Sequence, residues 1–519
     1  MNMKFLSRKE SRFVIPIVMS LGFVFLTVFL LNYQNDRITN LRVYSNDKEI
    51  LLKWESGCAD DIELKVLSSD NEIIEQVALN AGDAKYSFAA GKHGERYTFS
   101  LSAKASDVSE DMIYEQSALF LDYEKLPDLP IVNILTQNEE IPAYTVINAP
   151  EGYMGQSVVD NEYVTAKITV SENGRNRVLS SGKIRIRGNT SATSFEKKPF
   201  KIKFDKPVDL LERENETHAD TEWLLLAGEY SFIIESGMRT AEICGMGWQP
   251  QFRPVNVMIN GQWQGYYYLF ENITVGPHRL NLDKTGFLIE NDAYWWKETV
   301  YFQTPYQRYD IAYTFKYPQS ETVSADRINE ISSYVSAYEI GLMEGSSDYA
   351  QYIDIESFAN WLLVHDILGT WDSGGSNMYL YKQNMHGESK LKAGPVWDVA
   401  SGFIQKDQWA RIHYEELMHY DVLLRKQDFV EMYQQRWESV SDTIVSDITG
   451  YLNTYVEENG EAIQESWRLD AARYNNEVPQ LVDEAMIVKS WFEMRKVWLD
   501  KEIGKIGFWD TDSLSTNNG

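Results

Sequence analysis

Apolar and polar positions change texture along the chain, and the first change lies at its start. Residues 13–31 are almost wholly apolar, and no charge occurs from 13 to 35. At a helical rise of about 1.5 Å such a run spans roughly 28 Å, near the hydrocarbon thickness of a bilayer. Lys4, Arg8, Lys9 and Arg12 precede it, whereas Gln34, Asn35 and Asp36 follow it. The positive-inside rule predicts a cytoplasmic basic N-terminus over residues 1–12 and a transmembrane anchor over 13–33. The rest of this single-pass chain then lies outside the cytoplasm. The apolar run is long for a cleaved signal peptide, and no small-x-small cleavage site follows it before Asp36.

Period-two alternation takes over next. Residues 38–44, 49–54, 62–67 and 97–103 read as strands, with turns at 45–47 and 91–95. Trp54 in an early strand and Tyr97 in a late one resemble the core of a fibronectin type III sandwich, so residues 37–125 are predicted as a small β-sandwich acting as a spacer. Leu-Pro-Asp-Leu-Pro at 126–130 reads as a stiff linker. Strand patterns recur at 163–170, 181–187, 200–204, 256–259, 266–271 and 286–290, with one helical stretch at 232–246. From Ser324 onward the period becomes helical. Phe429, Tyr433, Trp437, Val440, Ile444 and Ile448 recur at steps of three and four, and Ile487, Trp491, Met494 and Trp498 repeat the pattern. Such stripes are core faces. The expected fold class is therefore α+β: a domain over 131–509 with a β-rich lobe at about 131–320, a helical lobe at about 321–509 and a cleft between them. The polar tail at 510–519 is predicted to be disordered.

Composition narrows the function classes. The chain is 44% hydrophobic with 15 Trp and 31 Tyr, enough for sizeable cores. Its net charge of -28 argues against duplex nucleic acid as a partner, because phosphates repel such a surface. Cys58 and Cys244 are the only cysteines, which excludes a disulfide framework and a thiolate zinc site. The abundance of Trp and Tyr also admits adhesion to carbohydrate surfaces, but most of these rings fall on core stripes.

Three stretches carry candidate chemistry. Lys183-Ile-Arg-Ile-Arg-Gly-Asn-Thr-Ser191, followed by Lys197-Lys-Pro-Phe-Lys-Ile-Lys-Phe204, places Arg187, Lys197, Lys198, Lys201 and Lys203 around a small polar loop. In an acidic chain this is either a phosphate cradle or a hairpin with lysines on its wet face. Thr370-Trp-Asp-Ser-Gly-Gly-Ser-Asn377 sets Asp372 and Asn377 on one Gly/Ser loop, where a carboxylate can accept a hydroxyl proton and an amide oxygen can bind a metal. Pro395-Val-Trp-Asp398 ends a strand on a Gly-containing turn. The pair His365-Asp366 mimics a catalytic dyad but falls inside an apolar helical pattern and reads as structural. A base loop, an Asn, a hairpin and then an Asp is the order of the catalytic half of protein kinases.

These motifs, with Asn260-Gly-Gln-Trp-Gln-Gly-Tyr-Tyr-Tyr-Leu-Phe-Glu271, resemble the CotH family of spore-coat-protein-H-like atypical protein kinases over about residues 131–506. The resemblance implies a divergent two-lobed protein-kinase-like fold. It also implies transfer of the ATP γ-phosphate to Ser or Thr of secreted, cell-surface or spore-coat proteins. By position, Asp372 matches the catalytic Asp, and Asn377 and Asp398 match the ligands of Mg²⁺ or Mn²⁺. Arg187, Ser191 and Lys198 would lie on the nucleotide, with Lys201 and Lys203 as alternatives for the lysine that pairs the phosphates. One position departs: family members commonly read Trp-Asp-x-Asp, and this chain has Trp397-Asp-Val-Ala400. The missing second carboxylate keeps a non-catalytic surface or coat scaffold as the alternative.

Overall fold

The computed structural model describes residues 38–56, 62–80, 82–103, 112–153, 155, 157–172, 175–213, 218–309, 311–345, 347–370, 373–374, 376–403 and 417–506. The expected anchor at 13–33 and the tail at 510–519 lie outside them. Among the described residues no helix is long and apolar enough to cross a membrane. The described residues divide into two compact units, the first built mainly on those between Ile38 and Leu126 and the second on most of the remainder.

In the first unit, a three-stranded sheet and a four-stranded sheet share one core. In Ile62–Leu67 the alternation is direct: Ile62, Leu64 and Val66 are buried, while Glu63 and Lys65 face out and pair with each other. Trp54, Phe88, Tyr97 and Phe99 fill the interior. Three strands escaped the pattern. Ile73–Leu79 and Met112–Leu119 are the edges of their sheet, and Ile73 and Ile74 stand exposed where alternation would hide one of them. Lys85–Phe88 is only four residues long.

The strands of the second unit do more than form a β-rich lobe: seven of them close into a barrel. Around it run Val164–Glu172, Arg175–Ile186, Phe200–Val208, Asp220–Ala227, Gln262–Glu271, Phe252–Ile259 and Ile131–Thr136. Alternate residues point inward, so Ile184, Ile186, Phe200, Ile202, Trp223, Leu225, Val257 and Leu269 make a barrel core. Leu224, Tyr266, Tyr268 and Phe270, on the opposite face of two of these strands, join a second core shared with the helices. That core also takes in a five-stranded antiparallel sheet in the order Tyr301–Phe302, Ala312–Tyr317, Phe287–Asp292, Met378–Lys382, Lys392–Ala393.

The helices begin and end where their caps dictate. Ser324 accepts the Arg327 N–H and Asp354 that of Ser357, starting Ala325–Met343 and Ile355–Leu368. Gly369 ends the latter in the left-handed region, where an added Cβ would strike the Trp491 ring. The stripe from Phe429 to Ile448 is buried throughout, but it spans two helices, Gln427–Ser441 and Ile444–Tyr474. The second stripe is corrected. In Leu481–Glu502 the buried face is Leu481, Val488, Trp491, Phe492, Arg495 and Leu499, and Ile487 and Met494 are more than half exposed. A shift of one residue turns a helix by about 100°, and Arg495 holds the inner face because its Nε donates to the Asp366 carbonyl. His365 and Asp366 are themselves core groups: His365 pairs with Thr370 at 2.7 Å, and Asp366 accepts the Tyr433 hydroxyl at 2.6 Å.

One buried acid gives the second unit an expected pH dependence. Glu235, in the helix Ile233–Ile243, is fully buried and accepts the Tyr268 hydroxyl at 2.7 Å. Burial pushes its carboxyl up from 4.5 to about 7. Below the ordinary value the acid is protonated whether or not the chain is folded. Between there and about 7 only the unfolded chain releases the proton, so stability falls as pH rises through that window, by about 3 kcal/mol. Glu235→Gln keeps the acceptor oxygen and removes the titration. The gap between melting temperatures at pH 5 and pH 8 should therefore narrow in the variant; an unchanged gap would show that Glu235 does not set it.

Candidate functional site

The loop that carries Arg187 leaves the barrel at the end of Arg175–Ile186 and returns in Phe200–Val208. Its tight path depends on Gly188 at φ +78, where a Cβ would lie 2.3 Å from Ser191 Oγ. Asn189 ties the loop down by accepting the Val159 N–H at 3.1 Å. Arg187 is half-buried with its guanidinium over the Trp397 ring, 5.8 Å from the centroid. Loss of water around it lowers its proton affinity, and Asp398, Tyr379 and Glu290 act in the opposite direction.

The residue after Trp397 is Asp398, at φ +54. A non-glycine residue in this region is uncommon, and Asn and Asp tolerate it best. Asn377 is also left-handed, at φ +62, and its Nδ2 donates to Asp398 Oδ2 at 3.3 Å. The two motif residues, distant in sequence, thus meet. The Asp398 carboxylate is exposed, but the low-dielectric protein around it holds its carboxyl above the ordinary value, with the Arg187 charge opposing. Glu229 lies close enough for the Asp398 charge to add to desolvation in raising its own carboxyl, while Lys197 opposes.

Behind Asn377 stands a charged ladder that the sequence motifs did not include. Glu290 accepts the Asn377 N–H at 3.3 Å and pairs with Lys316 at 2.6 Å. Asp292, two residues along the same strand and so on the same face, accepts the Thr314 hydroxyl at 3.0 Å. Lys316 reaches both acids because it is the extra residue of a bulge: Leu288 pairs with Tyr317 and Ile289 with Phe315. Burial works against the Lys316 charge, yet Glu290 and Asp292 raise its ammonium above the ordinary value. Desolvation raises Glu290, with Lys316 opposing, and also raises Tyr379, to which Glu290 and Asp292 contribute. The signal was present in Phe-Leu-Ile-Glu-Asn-Asp at 287–292: acids at an i, i+2 spacing inside an otherwise buried strand need partners.

The expected phosphate lysines are placed differently from one another. Lys198 donates to the Ala192 and Phe195 carbonyls, at 2.8 and 2.5 Å, and so caps the short helix Thr190–Ser194. Lys201 and Lys203 both pair with Glu222, at 2.7 and 3.2 Å. Lys197 is the buried one. Its ammonium donates to the Gly228 carbonyl at 2.9 Å among Tyr230, Tyr266 and Tyr267. Ser191 stays half-buried under Gly188. Asp372 lies outside the described residues; Thr370 and Ser373 on either side of it are buried.

Asn377 and Asp398 offer one amide and one open carboxylate. Mg²⁺ characteristically takes one or two carboxylates, keeps waters and completes its shell with phosphate oxygens, so this donor set fits a divalent ion carried in with a triphosphate. Among the described residues no group of three or more His, Cys, Asp or Glu could hold a metal by itself. A hard cation shared with a polyphosphate, next to an arginine, is the chemistry this arrangement can support.

A family model described as "CotH kinase protein" matches residues 184–499, the stretch that contains the Arg187 loop, Asn377 and Asp398. No curated protein matches the chain. With that match running over more than half of its length, the chain belongs to the CotH kinase protein family.

Proposed function

We propose that this protein is an atypical, CotH-like protein kinase. It would transfer the γ-phosphate of ATP to Ser or Thr of cell-surface, secreted or coat proteins. The observation that carries the reading is the meeting of Asn377 with Asp398 beside Arg187, inside the stretch matched by the family model. In this reading Asp398 and Asn377 hold Mg²⁺ or Mn²⁺, which would neutralise phosphate charge. Arg187 lies against the phosphate oxygens, where its planar fork can pair two of them. Glu290 holds the Asn377 backbone, and the Lys316 ion pair keeps Glu290 in place. Asp372 accepts the proton of the acceptor hydroxyl as its oxygen bonds to the γ-phosphorus. The bond from that phosphorus to the bridging oxygen breaks and ADP leaves. Lys197, Lys198, Lys201, Lys203 and Ser191 are assigned to the nucleotide side, Lys197 on burial and the others on the motif. The two-lobed kinase-like arrangement belongs to the same proposal. Full-length protein incubated with labelled ATP and Mn²⁺ or Mg²⁺ should label itself or envelope protein, as read by mass spectrometry.

The second reading is a non-catalytic surface or coat scaffold, favoured by Ala400 standing where a second carboxylate is expected. A scaffold would bind partners with no turnover. Both readings place the domain outside the cytoplasm, anchored through residues 13–33. External protease on intact cells should therefore remove the chain beyond Asp36. Protection until the membrane is lysed would reverse the orientation and remove the case for an external substrate.

A further inference from the structure

A cavity of about 320 Å³ lies between the strand Ser157–Asp160, the Asn189 loop and Tyr294. Among the described residues its polar lining is Ser157, Asn189, Thr190, Thr193, Ser194 and Tyr294, and its apolar lining is Val158 and Val159. Among the described residues that line it, none carries a charge. Both walls lead back to the candidate site. Asn189 is two residues from Arg187, and Tyr294 is two residues from Asp292, whose Oδ1 accepts the Tyr294 N–H at 2.8 Å. Two residues span at most about 7 Å of chain, so the backbone that lines the cavity continues directly into that of Arg187 on one wall and of Asp292 on the other.

The lining excludes two of the groups that phosphoryl transfer brings together. A triphosphate needs cations, and the cavity offers none. A nucleobase is held between flat apolar faces, and this lining offers a single ring, Tyr294, with two valines among five hydroxyl and amide side chains. A peptide segment remains. Its N–H and C=O groups each need a partner when they leave water, and a hydroxyl both donates and accepts. Asn189 adds rigidity to the wall, because its side chain is fixed to the neighbouring strand Ser157–Asp160. The volume is near the lower end of ligand sites, about 300–1,000 Å³, which suits a few small residues.

We propose that this hydroxyl-lined cavity is the acceptor subsite: it receives an uncharged segment of Ser, Thr, Gly or Asn residues flanking the hydroxyl to be phosphorylated. The assignment of the segment as an acceptor rests on the phosphoryl-transfer reading; its binding does not. The test uses full-length protein and fluorescent peptides with one central Ser, flanked by Gly, Ser and Asn, by Glu, or by Lys. Affinity is read by anisotropy and transfer by labelled ATP with Mn²⁺. The neutral peptide should bind at least about tenfold more tightly than the acidic one. Ser194→Trp, a plug at an exposed position, should weaken neutral-peptide binding about tenfold or more and change ATP affinity less than about twofold. Thr190→Asp puts a carboxylate in the lining and should shift the preference about fivefold toward the Lys-flanked peptide. The proposal is overturned if wild type binds none of the peptides, or if neither variant alters peptide affinity. It is equally overturned if Ser194→Trp weakens ATP as much as peptide, which would make the cavity part of the nucleotide site. Binding that the plug abolishes, with no phosphate transferred by wild type, would keep the subsite and remove the kinase reading.

Discussion

Asp372→Asn should nearly abolish phosphoryl transfer while ATP and metal still bind. A base that takes the acceptor proton contributes to the chemical step and little to nucleotide binding, so its loss belongs in kcat. General-base contributions are on the order of 10²–10⁴ in rate, roughly 3–5 kcal/mol of barrier. The amide keeps the size of the side chain and can still accept a hydrogen bond, but it cannot hold the proton. Asp366→Asn is the informative contrast. That carboxylate accepts the Tyr433 hydroxyl and lies 4.0 Å from Arg495, all three being buried. Changing it should lower the melting temperature and leave kcat per folded molecule nearly unchanged. If wild type transfers no phosphate and binds its partner as well as Asp372→Asn does, the scaffold reading replaces the kinase.

How much of this could be read from the chain depends on whether a feature is local. Strand alternation is local, so Glu49–Ser56, Ile62–Leu67 and Arg96–Ala103 in the first unit and Val164–Glu172, Phe200–Val208 and Gln262–Glu271 in the second were legible, as was Ser324 at the start of a helix, whereas Ile131–Thr136, Asp220–Ala227 and Ala312–Tyr317 were not legible as strands. The edge strand Ile38–Asn46 was legible, but the edges Ile73–Leu79 and Met112–Leu119 were not, because one side of their pattern faces water and loses its contrast, as at Ile73 and Ile74. Closure of the barrel was invisible, since the parallel pairing of Ile131–Thr136 with Phe252–Ile259 joins residues far apart in sequence. The helical period of Leu481–Glu502 was clear but its inner face was not. Val482, Met486, Ile487, Met494 and Val497 are apolar and exposed, so apolarity alone did not mark the buried side.

The candidate site shows the same division. Arg187, Asn377 and Asp398 sit in compact motifs and were named from them, and the fold brings them together. Glu290, Asp292 and Lys316 were missed because their meaning is relational. Two acids in a buried strand become interpretable once a bulge in the neighbouring strand delivers a lysine to them. The lysines illustrate the opposite hazard. From the motif, Lys198 stood first for the phosphates, with Lys201 and Lys203 as alternatives, and Lys197 was only one of the surrounding cations. In the fold, Lys201 and Lys203 pair with Glu222, Lys198 meets two carbonyls, and Lys197 alone is enclosed by tyrosines.

Asp398→Asn should weaken metal-dependent ATP binding by at least about 10²-fold, since even an outer-shell partner of a metal site is worth about 10- to 100-fold in affinity. Two features of the site make this substitution selective. Asn adopts the left-handed backbone at φ +54 as readily as Asp does, so the turn is not strained, whereas Ala there would be. The carboxylate is exposed, and Arg187 keeps Glu290 and Tyr379 nearby when the charge is lost. The cost to the fold without metal should then be about 0.5 kcal/mol or less, a change of about 2 °C or less in melting temperature. The pH dependence has a defined sign. Because desolvation lifts the Asp398 carboxyl above its ordinary value of 3.8, wild-type metal affinity should begin to fall, on acidification, at a pH above that of a free aspartate. Asp398→Asn should lack that component. Titration calorimetry of ATP with Mn²⁺ across this range measures both effects. A variant that melts far below wild type without metal would mark Asp398 as a residue of the fold, held by its turn, and would leave Asn377 without its partner in the proposed metal site.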